Sequence, residues 1–241
     1  MPGTQYVALS GLRTRLDELD RIAGDIANIN TPGYKGMRSA LHSSERPSFD
    51  SELTTAIDSV AAGTKVDFSP GMAINTGRNL DAAIDGQGFF VVETNRGTRY
   101  TRNGHFSKSA EGELTTADGG IVQGSSGPIT LGKGEIRIDD QGNVWSGATK
   151  AGQLQIVTFD DPTKLTRESG SVFKNDVGLV ANDVDEPLVH GGSLEGSNVS
   201  LPERMAQLVD VSRNFEAMQR SITTVMNDID GKTIETFGRR G

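Results

Sequence analysis

The sequence of 241 residues contains no cysteine, which excludes disulfide bonds, thiolate metal sites, iron–sulfur clusters and cysteine nucleophiles. Its longest apolar run, Phe89–Val92, is far shorter than the ~18 residues that a membrane span requires, so membrane insertion is not expected. Acidic residues outnumber basic ones by 32 to 24, and the net charge of −8 argues against a nucleic-acid binder, because phosphate contacts need clustered Lys and Arg. The first residues lack a basic segment and an apolar segment, so no cleaved secretory signal is expected.

Aromatic residues are also scarce, at 5%, whereas glycine is abundant at 30 residues of 241. Average glycine usage is ~7%, so this chain carries an excess of the residue that tight turns favour. The composition predicts a folded chain with a thin core and many turns.

The N-terminal region has the period of an amphipathic helix. Apolar residues recur there at steps of three or four, and charged residues such as Arg13, Asp17 and Glu18 occupy the other faces. Pro32 and Gly33 end the pattern, since proline cannot continue the helical hydrogen-bond ladder. The predicted stripe consists of Tyr6, Leu9, Leu12, Leu16, Leu19, Ile22, Ile26 and Ile29.

The C-terminal region repeats this pattern. Ser200 and Glu203 have the spacing of a capping box, and Pro202 lies in the first turn, where proline is tolerated. A second amphipathic helix is therefore predicted to begin here. Its stripe consists of Leu201, Met205, Leu208, Val211, Phe215, Met218, Ile222, Val225 and Ile229.

Between the two helices, short segments with apolar alternation are separated by turn signals such as Asn95–Gly97 and Asp118–Gly120. This pattern is typical of an antiparallel body built from hairpins. The predicted strands are Phe89–Val92, Tyr100–Arg102, His105–Ser107, Glu135–Ile138, Asn143–Trp145 and Leu154–Phe159.

The predicted fold class is α+β, with terminal amphipathic helices forming a coiled-coil layer and a central antiparallel all-β domain. The predicted divisions are an N-terminal helix in 1–35, an extended connector in 36–70, a β-rich outer domain in 71–190 and a C-terminal helix in 191–241.

Motifs of catalysis and cofactor binding are incomplete. The segment Gly127–Gly134 almost fits a phosphate-binding loop, but Gly134 replaces the required Ser or Thr. The three histidines, His42, His105 and His190, show no zinc-ligand spacing. No G-x-S-x-G nucleophile elbow is present. We therefore expect no catalytic residue, cofactor or metal.

The two stripes lie at opposite ends of the chain, and neither has an apolar partner close by in sequence. We interpret them as surfaces that pack against helices of neighbouring copies, because an open, heterologous contact of this kind produces a helical filament. The candidate assembly residues are Leu9, Leu12, Leu16, Leu19, Ile26, Met205, Leu208, Phe215, Met218, Ile222, Val225 and Ile229.

Three segments resemble flagellar axial proteins, the family of rod and hook subunits. Residues 26–35 (IANINTPGYK) are similar to the A-N-x-x-T-x-G-[FY]-K signature that closes their N-terminal helix, and residues 194–199 (LEGSNV) resemble their L-E-x-S-N-V segment. Residues 83–90 and 100–106 are similar to the central motif of the family. The chain departs from the family at Gly24 and Asp25, where Asn-Asn is usual, so contacts at the helix end are expected to differ.

The resemblance implies a structural subunit of the bacterial flagellar basal body, without catalysis or cofactor. Its length and the opening Tyr6–Ser10 resemble proximal-rod members more than distal-rod members, while hook proteins are longer. Implied partners are the other proximal-rod and distal-rod proteins, the flagellar type III export apparatus and the rod cap. The implied location is the periplasmic rod, reached by export without a cleaved signal peptide.

Three alternatives stay open at this stage. A distal-rod subunit would carry the same motifs, and a non-flagellar fibre or adhesin subunit would share the plan of helix, β body and helix. A secreted β-rich enzyme would need a pocket in which polar side chains converge.

Overall fold

The structure is a computed structural model that describes residues 2–39 and 64–238. The described chain divides into two compact units. One contains the two terminal helices, and the other contains residues 28–38 and 65–199. Helices and antiparallel sheets are segregated along the sequence, which confirms the predicted α+β class.

The first unit consists of α1 (Pro2–Ala27) and α2 (Leu201–Gly238), which contact each other. Helix α1 ends at Ala27, shortly before Pro32, and helix α2 begins beside Pro202 with Glu203 in its first turn. Both predicted helices are confirmed. Within the described residues, neither helix combines the length and the apolar character needed to cross a bilayer.

The second unit contains nearly all of the strands, which are short and connected by tight turns. They are β1 (Met37–Ser39), β2 (Thr64–Val66), β3 (Ala73–Asn75), β4 (Ala82–Ile84), β5 (Phe89–Thr94), β6 (Gly97–Thr101), β7 (Phe106–Lys108), β8 (Leu114–Thr116), β9 (Ile121–Gly124), β10 (Gly127–Pro128), β11 (Ile136–Ile138), β12 (Asn143–Ser146), β13 (Thr149–Gln153), β14 (Ile156–Thr158), β15 (Thr166–Ser169), β16 (Val172–Lys174), β17 (Asn182–Asp183), β18 (Val189–Gly191) and β19 (Ser193–Glu195).

The largest sheet has ten strands and follows the order β15-β16-β6-β5-β9-β8-β7, with β10 on β9, β14 on β5 and β17 on β14. Its pairs are antiparallel, as expected for strands joined by hairpins. A three-stranded sheet, β11-β12-β13, and the pairs β1-β2, β4-β18 and β3-β19 complete the described strands.

Strand β5 lies between two hydrophobic clusters. Phe90 packs in one cluster with Phe106, while Phe89 and Val91 pack in the other with Phe173. Because successive side chains of a strand point to opposite faces, a strand covered on both faces needs a continuous apolar sequence. This is why the four-residue apolar run Phe89–Val92 lies here.

All six predicted strands overlap observed strands, and Asn95–Gly97 and Asp118–Gly120 lie at the predicted turns. Several strands were not predicted, among them β8, β13, β15 and β16. The predicted connector lies largely outside the described residues, which resume at Thr64. His42 also lies outside them.

Candidate assembly interface

The candidate assembly residues lie on α1 and α2, and the structure distinguishes three groups among them. Leu12, Leu19, Ile26, Leu208 and Phe215 are half-buried within the single chain. Leu16, Met205 and Met218 remain 46%, 54% and 37% exposed. The side chains of Leu9, Ile222, Val225 and Ile229 lie outside the described part of the structure.

Two buried members of the stripes were left out of the candidate residues. Ile22 and Val211 are among the buried hydrophobic residues of the chain, and each lies on one of the two contacting helices. Both follow the 3-4 spacing of their stripe, so the sequence contained the signal for them. Each stripe therefore contains a buried position, Ile22 or Val211, as well as side chains that stay exposed.

The exposed part of the stripes is larger than the candidate residues suggest. Leu201 and Val209, which also lie on α2, are exposed together with Met205 and Met218. Large apolar side chains at neighbouring helical positions are costly to keep in water, at ~25 cal/mol per Å². A second apolar surface from another molecule would remove this cost.

A buried ion pair also joins the two helices. The Asp25 carboxylate on α1 is fully buried, and its Oδ2 lies 3.1 Å from Nε of Arg204 on α2. Arg21, one turn earlier on α1, places Nη1 3.9 Å from the same oxygen. The position that departs from the family pattern thus carries a charge that links α1 to α2.

The family-like segments meet at a second place, within the β-rich unit. We call it the motif junction and define it by Gly33, Lys35, Arg102, Glu195 and Asn198. Lys35 is fully buried, and its Nζ lies 2.5 Å from Oε1 of Glu195 and donates to the Ser69 carbonyl at 2.9 Å. Two residues separated by 160 positions along the sequence are therefore in direct contact.

Backbone groups complete the surroundings of Glu195. Its carboxylate accepts a hydrogen bond from the Gly71 amide at 2.9 Å, and its carbonyl accepts one from the Gly33 amide at 2.7 Å. Oε2 of Glu195 lies 3.6 Å from Nη1 of Arg102. The buried charges are held by partners on several segments, as buried ion pairs require.

Burial and the Glu195 carboxylate act in opposite directions on the pKa of Lys35 and of Arg102. Burial lowers the pKa of the Lys35 ammonium, while the adjacent Glu195 carboxylate opposes that shift. Burial likewise lowers the pKa of Arg102, again against the effect of Glu195. Both cations thus have the Glu195 carboxylate as their counter-charge within the chain.

Asn198 closes the junction on the other side of Lys35. Its Oδ1 accepts a hydrogen bond from the Gly36 amide at 2.7 Å, and its Nδ2 donates to the Asp67 carbonyl at 2.8 Å. Arg167 stacks on the Tyr34 ring, with the guanidinium carbon 4.4 Å from the ring centroid, and donates to the Lys35 carbonyl. The polar positions of both terminal motifs thus hold the chain where it enters and leaves the β body.

A cavity of about 500 Å³ lies beside the junction. Phe68, Phe89 and Phe159 line it together with Arg102, so its walls are mainly apolar. Among the described residues, no group of three or more His, Asp or Glu side chains has a metal-binding arrangement. At the motif junction, the charged side chains that converge, Lys35, Arg102 and Glu195, are buried, and Glu195 lies beside both cations.

Two described protein families match parts of this chain. The family described as flagellar hook protein FlgE/F/G D1 domain matches residues 83–146, and flagellar basal body rod FlgEFG protein C-terminal matches residues 190–234. The first of these spans the predicted central motif as well as strands β5–β12.

Curated relatives match over almost the full length. The chain is 29% identical to the flagellar basal-body rod protein FlgF of Caulobacter vibrioides, over 99% of both chains. It is 30% identical to FlgF of Rhizobium meliloti, over 97% of both chains. It is 32% identical to the rod protein FlgG of Agrobacterium fabrum, over 90% of this chain and 93% of that relative. The chain therefore belongs to the family of flagellar basal-body rod proteins.

Proposed function

We propose that this chain is a structural, non-catalytic subunit of the flagellar rod that polymerises through its terminal helices. The observation that carries the proposal is the pair α1 and α2, which leaves Leu16, Met205 and Met218 exposed in the single chain. In an assembled rod, helices of neighbouring copies would cover these side chains and form a coiled-coil layer.

Each region of the chain has its own part in this proposal. Residues 1–35 and 191–241 supply the helical layer, 36–70 form the connector, and 71–190 form an outer body that touches neighbouring subunits laterally. The division of the described chain into a helical unit and a β-rich unit supports this assignment. The expected partners are other rod proteins, the export apparatus and the rod cap.

A position in the proximal rod is the finer part of the proposal. Its support is that the FlgF relatives from Caulobacter vibrioides and Rhizobium meliloti match 97% or more of this chain. The FlgF relatives from Salmonella typhimurium and Escherichia coli match 91% of it, as does the FlgG relative from Bacillus subtilis, so the neighbours in the rod decide the position. Crosslinking in isolated basal bodies would identify the neighbours above and below. Contacts with hook-side subunits alone would instead favour the distal rod.

The substitution Phe215→Asp tests the helical interface. Phe215 is half-buried on the α2 stripe, and an aspartate there would place a charge in an apolar contact, at a cost of about 3 kcal/mol or more. Each contact should weaken about 100-fold or more. We expect basal bodies isolated from a strain that carries only this variant to lack the rod beyond this subunit.

Ala217→Asp provides the matched control. Ala217 is exposed and lies about 200° around the helix from Phe215, so the same charge is added away from the stripe. Rods should form with Ala217→Asp and fail with Phe215→Asp, while Trp145 fluorescence shows a folded β body in both. Normal rods built from the Phe215→Asp variant would contradict the proposal.

A further inference from the structure

The buried carboxylate of Asp25 has a role that the apolar stripes do not explain. It lies in the last turn of α1 and contacts Arg204 in the first turn of α2, at 3.1 Å. We infer that Asp25 and Arg204 form an ionic latch that fixes the register of α2 against α1 within one chain.

The latch is part of a longer series of alternating charges. On α1, Arg15 pairs with Glu18 at 2.7 Å, and Glu18 lies 4.0 Å from Arg21, which in turn approaches Asp25. On α2, Nη1 of Arg204 donates to Oε1 of Gln207 at 2.6 Å. Arg204 is therefore held from its own helix while its Nε faces Asp25, which preorganises the pair.

Each latch residue lies at the end of its helix where the helix dipole disfavours its charge, so each is stabilised by an opposite charge beside it. A carboxylate in the last turn of α1 faces the negative end of that helix, and a guanidinium in the first turn of α2 faces the positive end of its helix. Each charge is thus unfavourable for its own helix. Bringing the two ends together places each charge beside its opposite and so offsets both unfavourable terms.

Because Asp25 is buried, its pairing with Arg204 also fixes the position of α2 along α1. An apolar stripe repeats every three or four residues, so α2 could shift along α1 by one turn, ~5.4 Å, and still match apolar residues. Such a shift would separate the fully buried Asp25 from Arg204 and leave it only the longer contact to Arg21, and a poorly compensated buried charge is destabilising. In the observed register Ile22, one turn before Asp25, and Val211, two turns after Arg204, are both buried.

The consequence for assembly rests on the proposed function. The register decides which stripe residues the single chain buries and which, such as Leu16 and Met205, it leaves exposed for neighbouring copies. The latch itself is a property of one chain, so it is measurable without rods.

The test is a double-mutant cycle of Asp25→Asn and Arg204→Gln in the full chain, at a concentration where light scattering shows monomer. Amide hydrogen exchange is followed in residues 12–27 and 204–215. Each single substitution should accelerate exchange about 100-fold, because Arg204→Gln leaves the buried Asp25 carboxylate with only the longer contact to Arg21, and Asp25→Asn takes the carboxylate away from the half-buried Arg204 guanidinium. The double variant should exchange far more slowly than the product of the two single effects predicts.

Asp17→Asn and Arg213→Gln are the matched controls, since both side chains are exposed on the same helices. They should leave exchange within about twofold of the parent chain, in line with the small effect of surface substitutions. Single variants that behave like these controls, or single effects that simply multiply in the double variant, would overturn the latch. The Phe215→Asp experiment concerns the stripe alone, so either inference can fail without the other.

Discussion

Gly33 occupies a position in the motif junction that only glycine fits. Its φ of 67° lies in the left-handed region, and a Cβ built there would lie 2.4 Å from the backbone carbon of Arg102 and 2.4 Å from the Asn103 amide nitrogen. Gly33 also donates its amide to the Glu195 carbonyl. A single residue therefore joins the segment after α1, the central motif and the segment before α2.

Gly33→Ala should destabilise the β-rich unit far more than Gly77→Ala. Gly77 has nearly the same φ, 68°, but a Cβ there would meet nothing within 4 Å. We expect a loss of about 1–2 kcal/mol at Gly77 from backbone strain alone. At Gly33 the collision with backbone atoms should raise the loss to about 3 kcal/mol or more. Urea unfolding followed by Trp145 fluorescence measures the free energy of unfolding of both variants. Equal losses in the two variants would contradict the close approach of Gly33 to the backbone of Arg102 and Asn103.

At the scale of elements, side chains hold β15 to the strands beside it. Glu168 on β15 accepts hydrogen bonds from Arg99 on β6 and from Arg96 in the turn between β5 and β6. Strand β16 lies between β15 and β6 in the sheet, so the bond between Arg99 and Glu168 crosses β16 and links strands that are not direct neighbours. Hydrogen bonds from Arg99 and then Arg96 lower the pKa of Glu168 from its ordinary 4.5 to about 2.

This pKa predicts an acid-sensitive contribution to stability. Because the folded pKa lies below the unfolded one, the contribution of Glu168 is complete above about pH 4.5 and is lost as the pH falls towards 2. Glu168→Gln removes this dependence, so the free energy of unfolding of that variant should fall less steeply between about pH 4.5 and 2. Glu111→Gln, at an exposed turn position, is the control and should follow the parent curve. The free energy of unfolding is measured by urea unfolding at several pH values. If it fell equally steeply with decreasing pH in all three chains, the assignment to Glu168 would be contradicted.

For the whole molecule, the two units differ in how much apolar surface they bury. The β-rich unit encloses two hydrophobic clusters around β5, whereas among the described side chains of α1 and α2 only Ile22 and Val211 are buried hydrophobic residues. A helix pair with so little burial gains most of its stability from further packing. In a free subunit, the helices should be the less stable part.

Heating a free subunit should therefore give two transitions. The helical signal at 222 nm should be lost about 10 °C or more below the transition of Trp145, a difference that corresponds to about 2 kcal/mol for a unit of this size. Trp145 is the single tryptophan of the chain and donates to Asp139 within the β-rich unit, so it reports on that unit alone. Coincident transitions would show that the helices are stable without neighbours.

The sequence by itself determined the elements whose own pattern is sufficient. The 3-4 spacing from Tyr6 and from Leu201 defined both helices, and the apolar run at Phe89 defined the central strand. Strand β13 (Thr149–Gln153) was not predicted, because its residues show no apolar alternation and its conformation depends on pairing with β12. The pattern that predicts a strand here lies in β12, not in the residues of β13.

Only the tertiary structure decided which polar residues meet. Lys35 and Glu195, or Asp25 and Arg204, are ordinary charged residues in the sequence, and family motifs mark the first pair without pairing its members. Local periodicity follows from the geometry of one helix or one strand and can be read from a short window. The partner of a buried charge depends on how distant segments pack, and no spacing along the chain encodes that.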